Sequence, residues 1–264
     1  MAITDSGPDQ LPGGSDLPSL ARVYDYVAGG TLNFPIDRTV GQHILSLVPA
    51  YRDFAKENRK FLHRAAAFLA DSGTDQFLDV GAGMVADPGV HTIVRRINPN
   101  ARVVYVDHDP IAVEHNRRVC GADERLGAFH ADLRDVDGVL GHPIVRDRLD
   151  LDRPIGLIMA AVLHCLLEED KPGRLLIDYR QALAPGSRLV ASHVSPDALP
   201  VDQLAEAAAT YARSGITVIA RDHADFAALL GPWQPDDEGI RSLHQWRPDQ
   251  NCGEASYANG VLAH

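Results

Sequence analysis

The sequence predicts an α/β fold: a mostly parallel, seven-stranded sheet closed by a terminal antiparallel hairpin and preceded by an N-terminal helical cap. Two segments carry the sheet. Residues 77–83 read Phe-Leu-Asp-Val-Gly-Ala-Gly, and residues 103–109 read Val-Val-Tyr-Val-Asp-His-Asp. Each is a short apolar run of the kind buried on both faces of a parallel sheet. The third observation is alternation. Runs at 76–80, 102–107, 126–131, 155–161 and 187–194 are separated by segments with helical character, the pattern of strands joined by crossover helices.

The N-terminal elements follow in order. Residues 1–16 are rich in Gly, Pro, Asp and Ser and predict a disordered tail. Residues 17–71 predict the cap. Asp16 can cap a first helix, Pro18 suits its first turn, and Leu20, Val23, Tyr24 and Val27 repeat at helical spacing before Gly29-Gly30 stops it. Asp37 opens a second helix, with Val40, Ile44, Leu47 and Val48 on one face and Pro49 ending it. A third runs from about Arg52 to Asp71 and buries Phe54, Phe61, Leu62, Ala65, Phe68 and Leu69.

The core spans 72–264. Asp87-Pro88 reads as the start of the helix carrying Val90, Ile93, Val94 and Ile97, and Asp109-Pro110 as the start of the next. Glu168-Glu169-Asp170 reads as acids at a helix N-terminus, ahead of the stripe Leu175, Leu176, Tyr179 and Leu183. Leu204, Ala207, Ala208 and Tyr211 form a further helix closed by Gly215. Ile240–Trp246 and Ser256–Leu262 read as the two strands of the terminal hairpin.

Composition narrows the function. At 264 residues, 45% hydrophobic and 23% charged, the chain is an ordinary globular protein. No apolar run approaches the ~20 residues that span a bilayer. The N-terminus lacks the basic-then-apolar pattern of a signal peptide. Cys120, Cys165 and Cys252 form no C-x-x-C pair, so a reducing cytoplasm is the expected location. A formal charge of −11 argues against a nucleic-acid partner, and Arg95-Arg96 and Arg117-Arg118 read as solvated helix faces. The twelve histidines show no H-x-x-x-H or H-x-x-E-H spacing, and no metal site is expected.

The glycine turn after the first strand lets backbone approach a ligand closely, and an acid at the end of the second can accept hydrogen bonds from ribose hydroxyls. Gly81-Ala82-Gly83-Met84-Val85-Ala86 fits G-x-G-x-x-G/A, which brings a nicotinamide oxidoreductase into consideration. The context disfavours it. The predicted helix starts late, Asp107 lies 107 − 81 = 26 residues past the first glycine rather than the ~20 of that fingerprint, and Asp79 places negative charge where a pyrophosphate would sit. A cationic nucleoside fits better.

At this point the chain resembles class I S-adenosylmethionine methyltransferases, and one largely uncharacterised family of them in particular. The residues that carry the resemblance are Tyr24-Asp25-Tyr26, Gly29-Gly30, Asn33-Phe34 and Asp37-Arg38, then Phe77 to Gly83, Val90-His91, Val103 to Asp107, Ala131 to Asp135, and His244 to Pro248. The resemblance covers about 18–262 and implies a Rossmann-like methyltransferase sheet with S-adenosyl-L-methionine as cofactor. It implies that Asp79, Gly81 and Gly83 hold the methionine part, that Asp107 binds the ribose with His108 near the adenine, that Asp132 and the Leu133 amide meet the adenine edge, and that Met159-Ala160-Ala161 forms the floor. The chain departs from the family at Thr31-Leu32, in the loop 84–89 and at its tail.

Each of these residues also has a plainer role open to it. Asp107, Asp109 and Asp132 could each cap a turn or helix; Asp107 and Asp132 are read as cofactor contacts and Asp109 as a cap. His164, after the fourth strand, is the candidate catalytic base, set against a structural histidine. His193 is a weaker candidate, and Cys165 reads as a small buried hydrophobe. Tyr24, Tyr26, Asn33 and Phe34 could line a substrate pocket or lid, or pack the first helix on the sheet. The expected reaction is direct methyl transfer to a small-molecule acceptor. A non-catalytic cofactor-binding sensor or assembly partner is the alternative.

Overall fold

A computed structural model describes residues 16–197, 201–248 and 258–264. Three helices precede the sheet: α1 (Leu20–Val27), α2 (Pro35–Leu47) and α3 (Tyr51–Asp71). There follow β1 (Gln76–Val80), α4 (Val90–Arg95), β2 (Arg102–Asp107), α5 (Pro110–Cys120), β3 (Leu126–His130), α6 (Val136–Gly141), α7 (Pro143–Arg148), β4 (Gly156–Ala160), α8 (Pro172–Ala182), β5 (Arg188–Val194), α9 (Val201–Arg213), α10 (His223–Leu229), β6 (Arg241–Ser242) and β7 (Ala258–Ala263). The seven strands lie in the order β3-β2-β1-β4-β5-β7-β6. The first five are parallel, whereas β7 pairs antiparallel with both β5 and β6.

Period-two alternation sorts the strand residues onto two cores. Phe77, Val103, Tyr105, Ile158 and Val190 face α1, α2, α3 and α4, whereas Leu78, Val104, Val106, Met159 and Ala191 face α6, α7, α8 and α10. The cap and the sheet therefore share one core, in which Phe61 and Trp246 meet edge to face at 5.3 Å. Each such fully buried side chain contributes roughly 1.5–3 kcal/mol.

Four expectations at element ends are corrected. Ser19, not Asp16, caps α1, its hydroxyl accepting from the Arg22 amide. The second helix begins at Pro35 rather than Asp37, because the Asp37 carboxylate reaches back to accept from the Phe34 amide. The helix expected from Asp87-Pro88 starts at Val90, with Gly89 rather than Asp87 at its N-cap; Asn116 and His115 of α5 bind the amide and carbonyl of Val85 ahead of it. Glu168–Asp170 form a separate 3-10 turn before α8, since Glu168 pairs with Arg221 and Asp170 with Arg134.

The run Ile240–Trp246 shortens to a two-residue strand. Arg64 of α3 donates to the carbonyls of Leu243 (2.6 Å) and Trp246 (3.1 Å), and the Trp246 ring turns under Phe61 and Phe68. Of the partner run, 258–262 lies in β7; its first two residues, like the 1–15 tail, Cys252 and most of the intervening turn, lie outside the described residues. No helix among the described residues is long and apolar enough to cross a membrane.

Candidate cofactor and active site

Strand order reverses between β1 and β4, and the carboxyl ends of parallel strands at such a switch point leave a crevice for ligand. A cavity of about 510 Å³ opens there, within the roughly 300–1,000 Å³ of small-molecule sites. Asp79, Gly81, Gly83, Asp107, His108, Asp132, Leu133, Ala160 and His164 all line it, as does Tyr24 from the cap.

The glycine edge is shaped by backbone hydrogen bonds. Gly81 and Ala82 both donate to the Val106 carbonyl, which bends the chain out of β1. Gly81 has φ +75°, and a Cβ there would sit well inside contact distance of the Val162 side chain. Only glycine meets both demands. The Gly83 amide donates to Asp107 Oδ2 at 2.7 Å, and the Asp109 amide to Oδ1 at 2.8 Å. Asn116 holds the Gly83 carbonyl and the Val85 amide with its two ends.

Two buried acids dominate the electrostatics. Asp79 makes no side-chain hydrogen bond among the described residues. Burial, with the Asp107 carboxylate as a second cause, raises its pKa to about 7. Burial also raises Asp107, against the two amides that favour its charged form. A carboxylate offers about four lone-pair sites, so Asp107 retains capacity for two further donors. These residues suit a nucleoside that carries a vicinal diol and a positive charge.

His108 is exposed, with Nδ1 3.6 Å from Asp107. Asp132 is forked by Arg134, whose Nη1 also bonds Asp170, and that pairing lowers both carboxyl pKa values. The Leu133 carbonyl accepts from Tyr179. At the floor, Ala161 takes φ +56° and its amide donates to Ser192 Oγ, which donates to Asn58 Oδ1; Asn58 Nδ2 donates to Tyr24 Oη, and that hydroxyl to the Ala55 carbonyl. One chain of hydrogen bonds thus ties α1 and α3 to the end of β4.

His164 is buried at the rim of the cavity. Its Nδ1 has no partner among the described residues, and burial, then His193 and Arg221, push its pKa well below the usual value. Arg221 Nη1 lies 3.1 Å from His193 Nε2. Arginine can only donate, so His193 carries its proton on Nδ1 and gives it to the Val194 carbonyl. Cys165 forms no disulfide among the described residues, and burial raises its pKa to about 12.

Of the four residues expected at the lid, only Tyr24 lines the cavity. Tyr26 packs on Gly41 of α2. Asn33 is buried, donating to Asp25 and the Gly30 carbonyl and accepting from Arg38. Phe34 packs with Met84, Ile111 and Ala112.

Sequence reading missed Asn58, Arg59, Asn116 and Arg22. Arg22 is 2% exposed and bridges Asp37 (2.8 Å) and Asp109 (2.9 Å). A helical period places these residues on buried faces, but nothing local announces their partners.

The sequence matches the S-adenosyl methyltransferase family over residues 11–263. Two solved structures are similar along nearly their whole length. One is a protein from Thermobifida fusca YX with a provisional methyltransferase assignment, 33% identical, with 94% of this chain and 95% of that one aligned at a TM-score of 0.88. The other is a DUF574 family protein from Streptomyces avermitilis MA-4680, 30% identical, with 94% and 97% aligned at 0.89. Human N-acetylserotonin methyltransferase, solved with S-adenosylmethionine, shares the fold at 15% identity and a TM-score of 0.51, over 92% of this chain and 66% of that one. No functionally curated protein matches the sequence.

Proposed function

The chain belongs to the S-adenosyl methyltransferase family, with S-adenosyl-L-methionine as cofactor, and from this we propose that it transfers the methyl group to a small-molecule acceptor. The carrying observation is the pair of buried acids, Asp79 and Asp107, near the ends of β1 and β2 in one cavity. When bound, the cofactor supplies a methyl carbon activated by a sulfonium. Asp107 accepts from the ribose hydroxyls, Asp79 faces the cationic methionine end, and Asp132 with Leu133 meets the adenine edge. The size of the cavity supports the small-molecule class: Tyr24, Tyr51 and Leu20 of the cap line it together with the strand ends, leaving room for a compact acceptor.

Catalysis rests on alignment of the acceptor with the methyl carbon and on exclusion of water. His164 has no carboxylate to stabilise an imidazolium, and its neighbours oppose one. Its role is that of a neutral imidazole accepting a hydrogen bond from the attacking hydroxyl or amine. The late start of α4, at Val90, leaves no helix N-terminus at Gly83 for a pyrophosphate, which sets the nicotinamide reading aside.

Calorimetric titration with S-adenosylmethionine, and with NAD as control, tests the cofactor site on the wild type and on Asp107→Ala. Micromolar binding of the first ligand alone, lost in the variant, is expected; binding of NAD alone would overturn the reading. With an acceptor in hand, His164→Asn should keep kcat within about tenfold. A fall of roughly 10²–10⁴-fold would make His164 a true general base.

A further inference from the structure

The cavity carries one cation that the fold does not use. Arg59 follows Asn58 on α3 and lines both the main cavity and a smaller chamber that adjoins it. Its guanidinium lies 6.0 Å from the centre of the Tyr24 ring and has no hydrogen bond or ion pair among the described residues. The other arginines of this region are all tied: Arg22 to Asp37 and Asp109, Arg134 to Asp132 and Asp170, Arg221 to Glu168. The nearby Asp25 is already engaged by the Leu32 amide and Asn33. Arg59 helps to stabilise the charge on Asp25 but has no anion hydrogen-bonded to it, and a half-buried guanidinium of that kind is a fork matched to a carboxylate.

We propose that Arg59 binds the α-carboxylate of the methionine portion of S-adenosylmethionine, an inference that rests on the cofactor assignment above. Position selects this carboxylate over one on the acceptor. The chamber that Arg59 shares with the main cavity is bounded by Val85, Ala86 and Asp87 of the glycine loop, and by none of the residues that follow β4. The ribose and adenine acids, Asp107 and Asp132, leave the loop end of the cavity for the amino-acid end of the ligand. There Asp79 faces the ammonium and Arg59 the carboxylate, so the two charges of a zwitterion meet two opposite charges of the protein. The arrangement makes Arg59 the residue that tells the intact cofactor from its carboxylate-free relatives.

Decarboxylated S-adenosylmethionine, which keeps the sulfonium and the ammonium, provides the test by calorimetry on the full chain. The wild type should bind S-adenosylmethionine roughly 10- to 100-fold more tightly than the decarboxylated ligand. Arg59→Gln should erase that gap by weakening the first ligand and leaving the second within about twofold, and Arg59→Lys should restore part of it. Equal wild-type affinities would overturn the proposal, as would an equal loss of both ligands in Arg59→Gln. A gap that survives in Arg59→Gln would assign the carboxylate to another residue and also overturn it. Failure of the wild type to bind either ligand would instead sink the cofactor assignment itself.

Discussion

The glycine edge of the sheet and the helical cap above it differ in one kind of bond that holds them. At the edge, carboxylates and an amide side chain bond to backbone: Asp107 to the amides of Gly83 and Asp109, Asn116 to Gly83 and Val85. In the cap, side-chain charges bond to one another across the chain, with Arg22 set between acids 15 and 87 residues away. The two meet at Asp109, whose Oδ1 caps α5 and whose Oδ2 takes Arg22. A ligand at Asp107 therefore sits two residues from the joint that fixes the cap.

Removing the joint should have the largest effect. Arg22→Leu leaves Asp37 and Asp109 buried without their cation, a change of about 3–5 kcal/mol in denaturant-induced unfolding. A loss below about 1 kcal/mol would mean that the cap is held by its apolar face alone. On the other side, Gly81→Ala adds a Cβ against Val162 at positive φ and should lose about 2–3 kcal/mol, with cofactor binding abolished. Retained binding would show that the edge can yield where the cap cannot.

Asp79 gives the comparison a pH dependence. Its folded pKa, near 7, lies above the unfolded value of 3.8, so the folded state holds this proton more tightly. The stability it contributes is present below about pH 4 and is lost as pH rises towards 7; Asp79→Asn should flatten that slope. A cationic ligand favours the ionised acid, so affinity should be about tenfold lower at pH 6 than at pH 8. A flat affinity profile would remove Asp79 from the ligand's charge. The smallest effect belongs to Asp132→Ala. Its ion pair with Arg134 is half exposed, so stability should change by less than about 1 kcal/mol, while affinity for the cofactor falls roughly two- to tenfold.

The edge was legible and the side-chain partners within the cap were not, for a physical reason. Strands β1 to β5 announce themselves as short, mainly apolar runs, and the Asp109-Pro110 pair fixes the start of α5 from two adjacent residues. Asp79, Gly81, Gly83 and Asp107 converge because each terminates or follows a strand. In the cap, the Tyr-Asp-Tyr and Asn-Phe segments are plain in the sequence, but their side chains turn inward: Asp25 orders residues 30–33 and Asn33 answers it. Arg22, Asn58 and Arg59 look like ordinary helix residues until α1, α3 and α5 are brought together. The shortened β6 fails for the same reason, since the claim of Arg64 on its carbonyls comes from 179 and 182 residues away.

The place of β7 has a consequence for how the molecule is assembled. It lies inside the sheet, between β5 and β6, and Gly260 lies against the Phe61 ring of α3. Part of the packing surface of α3 is thus complete only once a strand some two hundred residues downstream has paired. Long-range pairing of this kind slows folding, because loop closure precedes the contacts that reward it. It also leaves little room for a half-formed species in which α3 is docked and the late strands are not. The helices at one end of the sequence and the strands at the other should melt in a single transition, reported alike by the fluorescence of Trp233 and Trp246 and by the helical circular-dichroism signal.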